Sequence, residues 1–164
     1  MSSKQTLLGF MLMLSVLSSC KRDDGQLCGN YICMAGSCVD GSCVCAAGFE
    51  GKSCESAVIE KYLGRHLGFE ECVFGPGRFY EVGIIPSDTN VQVVQIQNLG
   101  NFGALVRGEL KSDGSIDIPL QNMGSRFTIS GTVTIADTMV SVNYALRENP
   151  PGNLNSNCTW TQRE

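Results

Sequence analysis

Hydrophobic and polar residues alternate along the second half of the chain. In residues 126–135, Phe, Ile and Val side chains occupy one parity, while Arg, Thr and Ser occupy the other. A period of two over ten residues predicts a half-buried β-strand. The same alternation occurs at residues 80–84, 116–120 and 140–146, although Pro119 suggests an edge or a strand end. Residues 91–99 and 104–111 predict further strands with less regular alternation.

Turn residues separate these runs and set the expected architecture. The turn signals are Gly75-Pro76-Gly77, residues 86–90, residues 98–103, Asp113-Gly114 and Asp137-Thr138. The chain after residue 56 therefore predicts about eight or nine short strands and no amphipathic helix. Short turns favour antiparallel neighbours, so we expect a meander that closes as a small barrel or folds as a β-sandwich.

Two cysteines lie near the ends of this β region. Cys72 ends the first predicted strand, residues 63–72, and Cys158 lies near the start of the last one. If these cysteines form a disulfide, their Cα atoms lie within about 7 Å of each other. The first and last strands would then be neighbours, as the closure of a barrel requires.

The N-terminal residues have the pattern of an export signal. Lys4 precedes an apolar run at residues 7–17, and small residues follow it. Eleven residues at about 1.5 Å each would span roughly half of a hydrocarbon core about 30 Å thick, so this run is too short for a transmembrane helix. Residues 1–19 are therefore predicted to be a signal peptide.

The end of this leader resembles a bacterial lipobox. Leu17-Ser18-Ser19-Cys20 has a branched apolar residue, two small residues and a cysteine. The resemblance implies that Cys20 becomes a lipidated N-terminus and anchors the protein in a membrane; the alternative is an ordinary secreted thiol. Residues 20–27 would form the tether. Its Lys21-Arg22-Asp23-Asp24-Gly25 segment is similar to the acidic tags of Bacteroidota lipoproteins on the outer face of the outer membrane, and a periplasm-facing anchor is the alternative.

Apart from Cys20, eight cysteines remain, an even number that suits disulfide pairing in an exported protein. Six of them lie in residues 28–55, at Cys28, Cys33, Cys38, Cys43, Cys45 and Cys54. This segment has no C-x-x-C pair, and the single histidine, His66, lies outside it, so neither zinc binding nor redox chemistry is favoured. The spacing of the six cysteines alone leaves fifteen possible pairings open.

The second half of this segment resembles the C-terminal half of an EGF-like domain, and the short third loop between Cys38 and Cys43 is similar to the tenascin type. The resemblance rests on Cys43-x-Cys45-x-x-Gly48-Phe49-x-Gly51-x-x-Cys54. It implies the disulfides Cys28–Cys38, Cys33–Cys43 and Cys45–Cys54. Calcium binding is not expected, because few oxygen ligands are available for a cation that takes six to eight.

The residue types argue against several classes of function. Acidic residues outnumber basic ones, 16 to 12, which does not favour nucleic-acid binding. No Gly-x-Ser-x-Gly sequence, phosphate-binding loop or cofactor fingerprint occurs, so we predict neither catalytic nor cofactor-binding nor metal-binding residues. A hydrolase acting on surface polysaccharide would need a pair of acids that the sequence does not single out.

Three further features have open interpretations. The face formed by Gly64, His66, Gly68 and Glu70 suggests either close approach of a ligand or a bend in a barrel. Trp160 suggests a core residue or a platform for a sugar. Asp137-Thr138-Met139 is similar to the O-glycosylation motif of Bacteroidota, which makes Thr138 a candidate for modification.

Residues 56–164 resemble, in overall pattern, the lipocalin-like β domains that follow EGF modules in Bacteroidota lipoproteins. The KYLG sequence at Lys61 and the late cysteine support this resemblance. The expected protein is mainly β, with a disulfide-rich module and an antiparallel barrel or sandwich. We expect a non-catalytic, lipid-anchored outer-membrane protein that binds a protein or glycan partner at the cell surface. The alternative is a lipocalin-like carrier of a small hydrophobic ligand.

Overall fold

The computed structural model describes residues 27–163, which are mainly β-strand with two short 3₁₀ helices. The predicted signal peptide (1–19), the lipidation site Cys20 and most of the tether (20–27) lie outside the described residues. Within residues 27–163, no helix has both the length and the apolar character needed to cross a lipid bilayer.

The cysteine-rich module contains three two-stranded antiparallel sheets. They pair β1 (Leu27–Cys28) with β2 (Tyr31–Ile32), β3 (Gly36–Val39) with β4 (Ser42–Cys45), and β5 (Phe49–Glu50) with β6 (Ser56–Ala57). Disulfides join Cys28 to Cys38, Cys33 to Cys43 and Cys45 to Cys54, the pairs that the EGF resemblance implies. Because strands this short bury little apolar surface, the cross-links stabilise the module mainly by restricting its unfolded state.

The rest of the described chain forms a closed, eight-stranded antiparallel barrel, which confirms the predicted fold class and decides between barrel and sandwich. Its strands are β7 (Gly64–Cys72), β8 (Arg78–Pro86), β9 (Val93–Gln97), β10 (Leu105–Leu110), β11 (Ile116–Met123), β12 (Phe127–Ala136), β13 (Met139–Glu148) and β14 (Asn155–Gln162). Each strand pairs with the next along the chain, and β14 pairs with β7.

The barrel closes at the cysteine pair. Cys158 lies directly opposite Cys72 in the β14–β7 register, and a disulfide joins them with a Cα–Cα distance of 4.0 Å. The two cysteines are separated by 86 positions in the sequence, so the disulfide connects the first and last strands of the meander.

Inward-facing residues fill the barrel with aliphatic and aromatic side chains. The predicted apolar faces of β8, β12 and β13 all point inward: Tyr80 and Val82 are buried, as are Ile129 and Val133 and the alternate residues from Val140 to Leu146. The alternation in residues 116–120 predicts that Leu120 points inward, and this prediction is wrong. A register shift between Ile118 and Gln121 reverses the alternation, so that Leu120 points outward and Met123 points inward.

The antiparallel meander gives the barrel two distinct ends. At the proximal end, the module meets the barrel through a hydrogen bond from the Val58 N–H to the Gly48 carbonyl (2.9 Å). A salt bridge joins Lys61 to Glu50 there (3.6 Å). The first 3₁₀ helix, Val58–Tyr62, closes this end, and the Tyr62 hydroxyl donates to the carbonyl of Gly114 in the β10–β11 turn. The distal end carries the β7–β8, β9–β10, β11–β12 and β13–β14 connections.

Candidate functional site

The distal end of the barrel exposes large apolar side chains on three of its four connections. Val73 and Phe74 in the β7–β8 turn are each 65% exposed. Phe102 in the β9–β10 connection and Leu154 in the β13–β14 connection are also exposed. We call these four residues the distal rim. Exposed apolar side chains that gather at one end of a small soluble domain commonly mark an interaction surface.

Hydrogen bonds between nearby residues fix the β9–β10 connection. Asn98 adopts a left-handed backbone conformation, and its side-chain oxygen accepts a hydrogen bond from the Gly103 N–H (3.0 Å). The second 3₁₀ helix, Leu99–Asn101, buries Leu99 in the barrel. The Phe102 ring packs on Phe127, with a centroid distance of 5.2 Å. This connection therefore presents Phe102 from a rigid loop.

A buried carboxylate lies directly beneath the distal rim. Glu70 on β7 is 2% exposed and points into the barrel. The hydroxyls of Tyr80 and Tyr144 both donate to its Oε1 atom, and Arg78 Nε donates to its Oε2 atom (2.8 Å). Three donors from two other strands thus satisfy a charge that would otherwise be costly to bury.

The same cluster holds the β9–β10 connection in place. Arg78 Nη2 donates to the Gly100 carbonyl (2.8 Å), and the Gly100 N–H donates to the Tyr80 hydroxyl (2.9 Å). We call Glu70, Arg78, Tyr80, Tyr144 and Gly100 the Glu70 network. Both backbone polar groups of Gly100 are therefore bound to side chains that Glu70 orients.

The two tyrosines act as neutral donors in this network. Burial, together with the hydrogen bond to Glu70, raises the pKa of Tyr80 above its ordinary value. Burial and the neighbouring Tyr80 and Glu70 raise the pKa of Tyr144. Both carboxylate oxygens accept hydrogen bonds, and the network supports the β9–β10 connection through Gly100.

The glycine-rich face of β7 has a packing role. Gly68 is buried opposite the Trp160 ring, and a Cβ atom at this position would overlap that ring. Trp160 itself is fully buried, as expected for a core residue. Its indole N–H has no hydrogen-bond partner among the described residues. The inward space that Gly68 leaves on β7 is thus filled by one large side chain from β14.

The remaining candidates from the sequence lie elsewhere. Thr138 occupies the exposed β12–β13 turn at the proximal end, where it adopts a positive φ of 71°. His66 lies on β7, and its Nε2 atom is 2.9 Å from the carbonyl of Tyr62. Neither residue contacts the Glu70 network.

Three module cysteines also come close together. The sulfur atoms of Cys28, Cys33 and Cys43 lie within 4.8 Å of one another. All three belong to disulfides, so their proximity reflects two adjacent cross-links rather than free thiolates.

A cleft of about 530 Å³ separates the module from the proximal end of the barrel. Phe49, Val58 and Leu110 give it an apolar lining, while Lys111 and Asp113 contribute opposite charges. This concave surface lies on the side of the barrel that faces the N-terminal module.

Sequence reasoning missed the Glu70 network and the distal rim. No local motif links Glu70, Arg78 and Tyr80, because only the register of β7 with β8 brings them together. The clearest available signal was VFGPG at residues 73–77, where two large apolar residues lie in a turn.

Comparisons with known proteins add no identification. Neither a scan against models of protein families nor a search of curated proteins finds a match to this chain.

Proposed function

We propose that this protein is a non-catalytic bacterial lipoprotein, anchored at Cys20, that binds a protein partner through the distal rim. The lipobox-like Leu17-Ser18-Ser19-Cys20 supports the anchor, and the acidic tether supports the outer face of the outer membrane. The resemblance of residues 28–55 to an EGF-like domain supports an extracytoplasmic location, where disulfides persist.

One observation carries the proposed binding role: apolar side chains are exposed on connections that the barrel holds rigidly. Phe74 and Phe102 are exposed, yet their connections are tied to the Cys72–Cys158 disulfide and to the Glu70 network. Preorganised loops lose little conformational entropy on binding, and aromatic anchors dominate many protein interfaces. The anchored N-terminus leads into the proximal end, so the distal rim belongs to the end remote from the module.

Site-specific photo-crosslinking in the host tests this proposal. A photoreactive amino acid at Phe74 should give a discrete adduct, and the adduct should be lost when Phe102→Ser is added. A probe at Leu67, an exposed residue on the barrel wall, should not give that adduct. The same adduct from both positions, or its persistence with Phe102→Ser, would contradict a distal interface. An adduct that glycosidases remove would assign a glycan partner instead.

The closed barrel gives a second candidate function, the transport of a small hydrophobic ligand. Eight strands enclose an interior that either side chains fill or one small ligand occupies. Because Ile129, Val133 and Val142 are fully buried in one continuous cluster, a ligand would have to displace core side chains. Ile129→Ala should create space and strengthen binding of a fluorescent fatty acid if this function holds. Undetectable binding by both proteins would exclude it.

A further inference from the structure

The N-terminal part of the module is apolar and lacks charge. Residues 25–39 contain no Asp, Glu, Lys or Arg. The described part of this stretch nevertheless exposes five large apolar side chains: Leu27, Tyr31, Ile32, Met34 and Val39. In a protein with a net charge of −4, such a stretch is a surface suited to an apolar contact.

Two of these side chains form a pair on a rigid hairpin. Leu27 lies directly opposite Ile32 in the β1–β2 register, so both project from the same face. They are 69% and 52% exposed. Alternation turns the adjacent Cys28 to the other face, where it is buried and bonded to Cys38. The disulfide thus fixes the direction in which the Leu27–Ile32 pair projects.

This pair is close in the chain to the proposed lipid anchor. Leu27 follows Cys20 by seven residues, which reach at most about 25 Å when fully extended. We infer that the Leu27–Ile32 pair inserts into the interface of the bilayer that holds the lipidated Cys20. The inference rests on the anchor proposed above. It adds that the module contacts the membrane instead of standing free as a spacer.

Because the tether is short, it keeps the Leu27–Ile32 pair close to the bilayer that holds the lipid anchor. Two aliphatic side chains bind a bilayer weakly by themselves, since stable attachment normally takes a second signal. A short tether holds the pair at an effective concentration on the order of millimolar, so weak contacts become populated. The absence of charge in residues 25–39 also removes the cost of bringing ionised groups to the hydrocarbon boundary.

The module supplies a matched control on another hairpin, β3–β4. Val44 is 54% exposed, close to the value for Ile32. It lies opposite Ser37 in the β3–β4 register, while the neighbouring Cys43 turns to the other face and bonds Cys33. A reporter at Val44 therefore samples an equally exposed aliphatic position that the inference places away from the bilayer.

The experiment uses the lipidated full chain in vesicles of phosphatidylethanolamine and phosphatidylglycerol with brominated acyl chains. Ile32→Trp and Val44→Trp are compared with the parent, whose buried Trp160 supplies the background fluorescence. Interfacial side chains lie about 5–10 Å into the headgroup–acyl boundary, so bromine should quench Ile32→Trp roughly twofold and leave Val44→Trp near the background. Intact masses of both variants check that four disulfides have formed.

Flotation of the vesicles separates the possible failures. Protein that floats but shows equal or no quenching at the two positions contradicts membrane insertion and leaves the anchor intact. Protein that does not float contradicts the anchor and, with it, this inference. A third outcome combines two results: no quenching of Ile32→Trp in the vesicles, and a concentration-dependent emission shift of Ile32→Trp in soluble Cys20→Ala protein. This outcome would assign the Leu27–Ile32 pair to contacts between copies of the chain.

Discussion

At the residue scale, Glu70 is the polar group on which the distal end depends. It is the inward-facing carboxylate of β7, whereas its neighbour Glu71 is exposed on the other face of the same strand. Its partners are the side chains of Arg78, Tyr80 and Tyr144. Without the charge on Glu70, the half-exposed Arg78 guanidinium and the two buried tyrosine hydroxyls have a poorer acceptor. Glu70 is therefore more important for stability than any exposed acid.

Glu70→Gln should lower the free energy of unfolding by about 2 kcal/mol, because two buried donors lose a charged acceptor. The Arg78 side chain is 46% exposed, so solvent already screens its part of the interaction. Urea unfolding under oxidising conditions measures the change. Glu71→Gln is the matched control and should change stability by less than about 0.5 kcal/mol. Equal losses in the two variants would show that the network contributes nothing.

The tyrosines of the network predict a loss of stability at high pH. The folded protein holds the pKa of Tyr80 and Tyr144 above the value of about 10 that tyrosine has when unfolded. Their contribution is therefore complete below pH about 10 and is lost as the pH rises further, because only the unfolded chain ionises readily. Tyrosinate absorbance and circular dichroism should change together in this range.

Tyr144→Phe provides the control for this titration. It should remove one tyrosinate group from the step that accompanies unfolding. Ionisation of all tyrosines well before any loss of circular dichroism would contradict the buried, neutral state of Tyr80 and Tyr144.

At the scale of elements, β7 determines how the barrel closes. Its outward face carries Leu67 and Phe69, while its inward face carries Gly68 and Glu70. This is the reverse of the usual assignment, in which apolar residues point inward. The arrangement is possible because Trp160 and the two network tyrosines, from other strands, fill the interior next to β7.

Gly68→Ala should therefore destabilise the barrel by about 2 kcal/mol or more, because the added methyl group overlaps the buried Trp160 ring. Leu67→Ala, one residue away on the exposed face, should have a small effect. Thermal unfolding of the two variants distinguishes these expectations. A harmless Gly68→Ala would mean that Trp160 does not pack against β7 as described.

The disulfide between β7 and β14 makes a separate contribution. Replacing Cys72 and Cys158 with serine should cost about 4 kcal/mol, since the bond closes a loop with a sequence separation of 86 residues. Far-ultraviolet circular dichroism should still report a β-barrel, because backbone pairing of β14 with β7 continues from Cys158 to Gln162. The matched double variant Cys45→Ser/Cys54→Ser should leave the unfolding of the barrel nearly unchanged. Complete loss of β-structure without the Cys72–Cys158 bond would contradict the expectation that backbone pairing of β14 with β7 keeps the barrel folded.

At the scale of the whole molecule, much of the architecture follows from the sequence. A disulfide between Cys72 and Cys158 predicts that the first and last strands of the meander are neighbours, and the alternation in β12 and β13 identifies inward faces. Leu120 escapes prediction because the register shift between Ile118 and Gln121 changes the alternation, and Pro119 within it suggested an edge or a strand end instead of a bulge. Glu70 escapes because its partners come from β8 and β13, and single-sequence patterns carry no information on long-range register.

The two proposals assign different tasks to the N-terminal module and to the distal end of the barrel. The Leu27–Ile32 pair and the tether belong to the membrane side, and the distal rim belongs to the side that meets a partner. Between them, disulfides hold the small module and a packed interior holds the barrel. Both assignments require export of the protein, because its eight remaining cysteines must be oxidised and Cys20 must be free to receive lipid.

The mass of the intact protein, extracted from membranes in the presence of an alkylating reagent, tests this requirement most directly. We expect a mature chain that begins at Cys20 with its lipid and takes up no alkyl group. After reduction, the same chain should take up eight alkyl groups. A chain that retains residues 1–19, lacks lipid on Cys20, or is alkylated before reduction would contradict export with lipidation at Cys20 and full disulfide pairing.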